Sequence, residues 1–265
     1  MKTTLSNEFL YQLFALLISV LVVHTAYVTV IRPEARLIEQ EQQLMIEQNP
    51  DYQPERSMLV IIRDFEQETC FILLFWAIAL LAMKAQAVTR QREQLNQNLI
   101  QLAEGETILP DDARHHARVI EALPEPDRSY LYPRTLLTAL RRFRSTRNIQ
   151  NVADAVAQTC DAEIERLEAE LSMIRYIAWA IPSIGFIGTV RGIGDALGMA
   201  HKAIEGDISG VTASLGLAFN STLIALILSI VLMFALYQLQ LLQERLVLDT
   251  QTACDRGLIQ NLQSQ

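Results

Sequence analysis

The hydrophobic positions of this chain form four long blocks that are separated by polar sequence. A hydrocarbon core about 30 Å thick needs roughly 20 helical residues to cross it. Four segments meet or approach that length, and we predict them as transmembrane spans: 9–31, 69–88, 177–200 and 211–239. The pattern therefore predicts an all-α integral membrane protein with four transmembrane helices.

Charged side chains occur near the ends of two of these spans. Lys84, in the second span, can extend its amine toward the lipid headgroups. Arg191 and Asp195 occur late in the third span, four residues apart and hence on one helical face. Because a charge at membrane depth is costly, they predict a salt bridge near the outer membrane face, with Glu205 or Asp207 as further partners. The alternative is an entrance gate that shapes the local electric field.

The distribution of Lys and Arg predicts which side of the membrane each polar segment faces. Segment 84–175 holds 13 Lys and Arg, whereas segment 32–68 holds four, against nine Asp and Glu. By the positive-inside rule, the middle segment and both termini are cytoplasmic. The polar regions are then predicted as a cytoplasmic N-terminus (1–8), an extracytoplasmic loop (32–68), a cytoplasmic helical domain (89–175) and a cytoplasmic tail (240–265).

The polar regions also show helical periodicity. The loop after Arg32 and Pro33, where the first span ends, has apolar residues at helix-like spacing. From 148 to 176 a stripe of apolar residues recurs at three- and four-residue steps. We expect one long helix to run from this stripe into the third span.

Overall composition excludes several classes of function. The net charge of −8 gives no support to a nucleic-acid-binding protein. Three scattered cysteines suggest neither a disulfide framework nor a zinc site. We find no nucleophile–base pair, metal-ligand spacing or phosphate loop. The chain is therefore not expected to be an enzyme or to hold a metal or cofactor. Its expected binding partners include membrane lipid.

Small residues are concentrated in the third and fourth spans. Eight of the ten glycines lie between 185 and 216. Small residues allow close approach of membrane helices, so these glycines predict close packing, either between subunits or within one. They include two Gly-x-x-x-Gly pairs, a first pair of Gly188 with Gly192 and a second pair of Gly194 with Gly198. We assign helix bending and close packing to Pro182, Gly185, Gly188 and Gly192.

Hydroxyl groups accompany these small residues. In the fourth span a small, partly hydroxylated stripe recurs at three- and four-residue steps: Ser214, Ala218, Thr222, Ala225 and Ser229. A hydroxyl can hold a water or coordinate a cation. We predict a narrow polar passage with Thr189, Ser221, Thr222 and Ser229 along the ion pathway. The alternative is that Thr189 and Thr222 bond to carbonyls of their own helices.

Acidic residues are missing from the middle of the predicted spans. No Asp or Glu lies deep within a span, so a proton-carrying carboxylate would have to come from another subunit.

Four arginines cluster in the predicted cytoplasmic segment. They form either a docking surface or a solvated charge run: Arg141, Arg142, Arg144 and Arg147.

Two motifs resemble a known family. Pro182-Ser-Ile-Gly-Phe-Ile-Gly-Thr-Val-Arg-Gly-Ile resembles the Pro…Gly-x-x-Gly-Thr-Val-x-Gly signature of the MotA/TolQ/ExbB family. Ala218-Phe-Asn-Ser-Thr-Leu-Ile-Ala-Leu resembles the segment that follows it in that family. The resemblance covers about 150–245, and the four-span layout is MotA-like.

The resemblance implies a homopentamer around a dimer of single-span MotB/ExbD/TolR-like partners in the bacterial inner membrane. Flow of H⁺, or alternatively Na⁺, would turn the pentamer and deliver mechanical work as a motor stator. A partner aspartate would carry the proton. The family's pore threonines map onto Thr189 and Thr222, and its helix-bending proline maps onto Pro182.

The chain also departs from the family. Ala225 replaces a common glycine, Leu217 replaces an acidic residue of ExbB-like members, and Arg191 places a cation beside the presumed path. Two other functions stay open. One is a membrane scaffold pentamer that anchors an envelope-spanning partner without ion-driven work, and the other is a stand-alone channel or transporter.

Overall fold

The computed structural model describes residues 2–49, 52, 57–95, 97, 99–100, 107–204 and 208–263. These residues are helical almost throughout, as the sequence predicts. The α-helices are α1 (Lys2–Ala26), α2 (Arg32–Gln48), α3 (Met58–Ile61), α4 (Phe65–Leu95), α5 (Ala113–Glu121), α6 (Glu125–Arg128), α7 (Leu131–Thr146), α8 (Ile149–Glu170), α9 (Ser172–Gly198), α10 (Ala200–Ile204) and α11 (Ser209–Gly257).

Four helical stretches within the described residues are long and apolar enough to cross a membrane. They are Glu8–Ile46, Phe65–Leu95, Ile149–Gly198 and Ser209–Asn261. This confirms four candidate spans. The chain divides into two compact units, a first unit of Met1–Leu81 with Met173–Leu236, and a second unit of Ala82–Ser172 with Tyr237–Gln265.

The first helical stretch continues past Arg32 and Pro33, where the sequence analysis ends the first span. A π-helical turn at Tyr27–Ile31 connects α1 to α2, and the backbone N–H of Arg32 bonds the carbonyl of Tyr27. Pro33 follows this turn, at the start of α2, and the helical stretch continues beyond it to Ile46.

The first unit has the surface of a membrane bundle. Large apolar side chains such as Phe14, Leu21 and Ile230 are exposed on it, as a lipid-facing surface requires. Polar groups of side chains donate hydrogen bonds to backbone carbonyls of neighbouring helices. For example, the Trp76 indole N–H donates to the carbonyl of Gln12 over 3.0 Å. Such bonds fix helix positions without a hydrophobic driving force.

The second unit has a conventional hydrophobic core. Large side chains of α7 lie at its centre, and they pack against α5, α8 and the end of α11: Leu136, Leu140, Phe143, Val152, Val156, Ile120 and Leu258. Among the described residues the one strand-like feature is a bridge in which Ile108 N donates to the carbonyl of Asn261 over 2.8 Å.

Buried charge in the second unit is paired. Glu163 is 2% exposed, and it accepts from Arg134 and from Arg166, each over 2.6 Å. Lys84 donates to Glu170 over 2.7 Å. Leu171, which is fully buried, forms a one-residue turn between α8 and α9. The expected long helix is thus present as the single stretch Ile149–Gly198, with a one-residue distortion at Leu171.

Candidate functional site

Helices α9 and α11 approach so closely that side chains are excluded at three glycines. A Cβ placed at Gly188 would lie 2.6 Å from the Cβ of Ser221, and one at Gly192 would lie 2.8 Å from the Cβ of Ala218. A Cβ at Gly185 would overlap that of Ala225. These glycines therefore serve packing within one chain, which is one of the two alternatives that the sequence left open.

The second Gly-x-x-x-Gly pair behaves differently. A Cβ at Gly194 or Gly198 would meet nothing within 4 Å among the described residues. The spacing motif is the same, but no close contact within the chain requires it. Only the first pair is explained by the packing of α9 on α11.

Two threonine hydroxyls join the helices along this contact. Thr222 Oγ1 donates to the carbonyl of Gly185 over 3.0 Å, and Thr189 Oγ1 donates to the carbonyl of Ala218 over 3.0 Å. The two hydroxyl oxygens are also in direct contact. The alternative of bonding within the same helix is represented only by a longer 3.4 Å approach of Thr189 to Gly185. The principal bonds cross between helices.

Ser229 satisfies a carbonyl that a proline leaves without a donor. Pro182 lies inside α9 and has no N–H, so the carbonyl four residues earlier, at Ala178, lacks its helical donor. Ser229 Oγ donates to that carbonyl over 3.2 Å. We call Thr189, Thr222 and Ser229 the hydroxyl seam, because each donates across the contact between α9 and α11.

Ser221 lies away from this seam. It is 1% exposed, donates to the carbonyl of Leu217 in its own helix over 3.1 Å, and accepts from Gln67 Nε2 over 3.4 Å. Its place along an ion pathway stays a prediction, and within the chain its contacts are with Gln67 and Leu217. Ser221 follows Leu217 by one turn and faces α4 and Gly188, so it packs inside the bundle.

A groove of about 760 Å³ runs along α9 and α11. Its lining is mainly apolar, with Thr222 and Ser229 on one wall and Pro182 and Ser183 on the other. Large side chains in it are open to the surroundings: Trp179 is 80% exposed and Phe186 is 64% exposed. The groove thus presents hydroxyls at the base of an apolar surface.

Arg191 has a partner that the sequence analysis did not identify. Its Nε and Nη2 donate to the two carboxylate oxygens of Glu66, over 2.7 and 2.8 Å. Asp195 is exposed and makes no ion pair with the described residues. Glu205 and Asp207, the other suggested partners, lie outside the described residues. The predicted Arg191–Asp195 pair is therefore replaced by Arg191–Glu66.

Glu66 belongs to a polar turn at the start of α4, formed by Glu66, Gln67 and Glu68. Glu66 bonds α9 and Gln67 bonds α11, as described above. Glu68 is 5% exposed, and it bonds His24 Nδ1 over 2.6 Å and also pairs with Arg32. Three successive residues thus each contact a different neighbouring helical stretch. The sequence contained one indication of the pairing between Arg191 and Glu66: an Arg within an apolar span requires a carboxylate partner.

The arginine cluster lies at the end of α7, in the second unit. Arg141 donates to Glu121 over 2.8 Å, and this hydrogen bond holds the pKa of Glu121 below its usual range. Arg142, Arg144 and Arg147 are exposed. Arg147 has a positive φ of 50° and ends α7. The cluster is therefore only partly engaged within the chain, and no contact assigns it a function.

The comparisons with known proteins agree with the motifs. Residues 130–252 match the model of the MotA/TolQ/ExbB proton channel family. No curated protein and no solved structure matches the chain. The matched segment begins just before α7 and ends inside α11, so it includes the groove and the hydroxyl seam. The resemblance that the motifs indicate is thereby confirmed over this segment.

Proposed function

We propose that the chain is an ion-conducting stator subunit of a motor driven by the ion-motive force. Five copies would surround a dimer of single-span MotB/ExbD/TolR-like partners in a bacterial inner membrane, with both termini in the cytoplasm. The observation that carries this proposal is that two hydroxyls of the seam, Thr222 and Ser229, line an apolar groove within the family segment. Transported H⁺, or alternatively Na⁺, would pass along this seam.

The groove has the chemistry that a partner transmembrane helix requires. Its apolar walls suit the aliphatic side of such a helix, and its exposed Trp179 and Phe186 offer contact area. A carboxyl on the partner would meet the hydroxyls at its base. The proposal thus supplies the carboxyl that is missing deep within the predicted spans of this chain.

The hydroxyl of Thr222 suits a protonated carboxyl. When its single proton is donated to the carbonyl of Gly185, the remaining lone pairs of its oxygen are acceptors. A neutral carboxylic acid can donate to such an acceptor, whereas an ionised carboxylate cannot. Thr222 would therefore favour the protonated state of a partner carboxyl as it passes, and release of the proton beyond the seam would complete one step of transport.

A scaffold without ion flow is the second candidate function. The observation that favours it is that all three seam hydroxyls also bond α9 to α11. A pentamer that merely anchors an envelope-spanning partner would need these bonds for packing alone. The two functions differ in whether the threonine oxygens contact transported ions or serve only to hold the two helices together.

The test compares Thr222→Val and Thr222→Ser in membrane vesicles from the native host. Proton flux is measured with a pH-sensitive dye and sodium flux with radioactive sodium, each against vesicles that lack the chain. The motor proposal expects Thr222→Val to abolish flux while the assembly stays intact on native gels, and Thr222→Ser to retain flux. Thr69→Val is the matched control, because Thr69 is exposed and bonds only a carbonyl of its own helix.

The scaffold would be supported by the opposite pattern. Flux that depends on the chain would then be absent already in the wild type, although the partner still co-purifies with it. Such a result would contradict the motor proposal.

A further inference from the structure

Arg191 carries a positive charge at one end of the groove. It follows Ile187, a groove residue, by four positions and therefore lies one turn further along the same face of α9. Its side chain is 43% exposed. A cation that enters or leaves the groove at this end must pass near this guanidinium. Asp195 lies one turn further along α9, but it is exposed and does not pair with Arg191.

Glu66 supplies the compensating charge. Among the described residues it is the carboxylate that forms an ion pair with Arg191, and it does so with both oxygens. Such two-point pairing of a guanidinium is strong and geometrically specific. Asp64, two residues earlier, has Arg63 as its ion-pair partner instead. Asp64 also interacts electrostatically with Arg191 without pairing with it, so among the described residues the two-point pairing of Arg191 depends on Glu66.

The packing leaves room for this pair. A Cβ placed at Gly188 would lie 3.1 Å from Cγ of Glu66, so the glycine lets the Glu66 side chain cross α9 toward Arg191. The flanking bonds of Gln67 to Ser221 and of Glu68 to His24 hold the polar turn against α11 and α1. Only 12% of the Glu66 side chain is exposed, so solvent ions screen this carboxylate poorly.

We propose that Glu66 is a positioning residue of the ion pathway that neutralises Arg191 and so keeps the end of the groove passable to cations. The inference rests on the proposed ion-conducting function. Without Glu66, the guanidinium would lose its ion-pair partner beside the path. A unit charge about 10 Å from a passing cation, at an effective dielectric constant of about 20, lowers cation occupancy on the order of tenfold.

The competing explanation is that the pair only clamps α4 to α9. The two explanations differ in the effect of Arg191. If charge is what matters, Arg191→Gln alone leaves cation flux at or above the wild-type value, because it removes the repelling group. If clamping is what matters, losing either partner is equally harmful, and losing both restores nothing.

The experiment measures H⁺ and Na⁺ flux in membrane vesicles of the native host with Glu66→Gln, Glu66→Asp, Arg191→Gln and the double variant Glu66→Gln/Arg191→Gln. We expect about tenfold lower flux in Glu66→Gln, retained flux in Glu66→Asp, and recovery to near wild type in the double variant. Glu34→Gln is the matched control, because it removes an exposed carboxylate of α2 by the same chemical change. Native gels and thermal unfolding report whether each variant still assembles.

The outcomes separate this inference from the proposed function. If the wild type conducts and the double variant is as low as Glu66→Gln, the inference is wrong and the proposed function stands. If Glu66→Gln does not fold, Arg191→Gln decides alone: a fall of about tenfold overturns the inference, and unchanged or raised flux supports it. If wild-type vesicles conduct no more than vesicles without the chain, both ideas are overturned.

Discussion

The two units of this protein hold their helices together in different ways. In the second unit, large side chains such as Phe143 and Leu136 fill a core, and buried charge is paired with arginine. In the first unit, α9 and α11 meet through Gly185, Gly188 and Gly192, and hydroxyls donate to carbonyls of the opposite helix. The second unit gains stability by removing apolar surface from water. The first unit, surrounded by lipid, relies on close approach and hydrogen bonding.

The largest effect is expected from emptying the core of the second unit. Phe143 is fully buried, so Phe143→Ala should lower the free energy of unfolding of that unit by about 3–5 kcal/mol through lost burial and a cavity. Thermal unfolding of the purified chain measures the change. Val119→Ala is the control, because Val119 is 50% exposed and should change stability little. Equal losses at the two positions would contradict the core assignment.

A smaller effect, with a sign that depends on position, is expected at the glycines of α9. Gly188→Ala forces its Cβ against Ser221 and should destabilise by about 1–3 kcal/mol through overpacking. Gly194→Ala meets nothing within 4 Å among the described residues and should stabilise by up to about 1 kcal/mol, the helix preference of alanine over glycine. Thermal unfolding in detergent compares the two. The packing model is wrong if both substitutions shift stability in the same direction.

The smallest effect concerns the carbonyl freed by Pro182. Ser229→Ala should destabilise by about 1 kcal/mol, because it leaves the carbonyl of Ala178 without a donor. In a Pro182→Ala background an N–H is restored four residues after Ala178, and the same substitution should cost less. A double-mutant cycle from thermal unfolding gives the coupling. Additive effects would show that Ser229 does not replace the missing helical donor.

The sequence predicted the parts of the site that follow from spacing along one helix. Steps of three and four residues put Thr222 and Ser229 on one face of α11, and the glycine spacing put Gly188 and Gly192 on one face of α9. The all-α class and four candidate spans followed from the length of the apolar blocks. These properties depend on local periodicity alone.

The parts that escaped prediction depend on pairing between distant segments. Glu66 and Arg191 are 125 positions apart, and Gln67 and Ser221 are 154 apart, so no local pattern connects them. Ser221 precedes Thr222 by only one position in the sequence, but one position along a helix turns a side chain by about 100°, so its contact with Gln67 could not be predicted from the contacts of Thr222. The continuation of the first helix beyond Pro33 follows a π-helical turn, which has no reliable sequence signature.

The central claim is that the α9–α11 groove receives a transmembrane segment of another protein. A photo-crosslinking amino acid at Phe186, an exposed groove position, tests this directly in cells of the native host. The same probe at Phe14, exposed on α1, is the control. The account predicts that the Phe186 probe captures a single-span protein with an acidic residue in its span, whereas the Phe14 probe does not. Capture of only lipid, or only further copies of this chain, at Phe186 would contradict it.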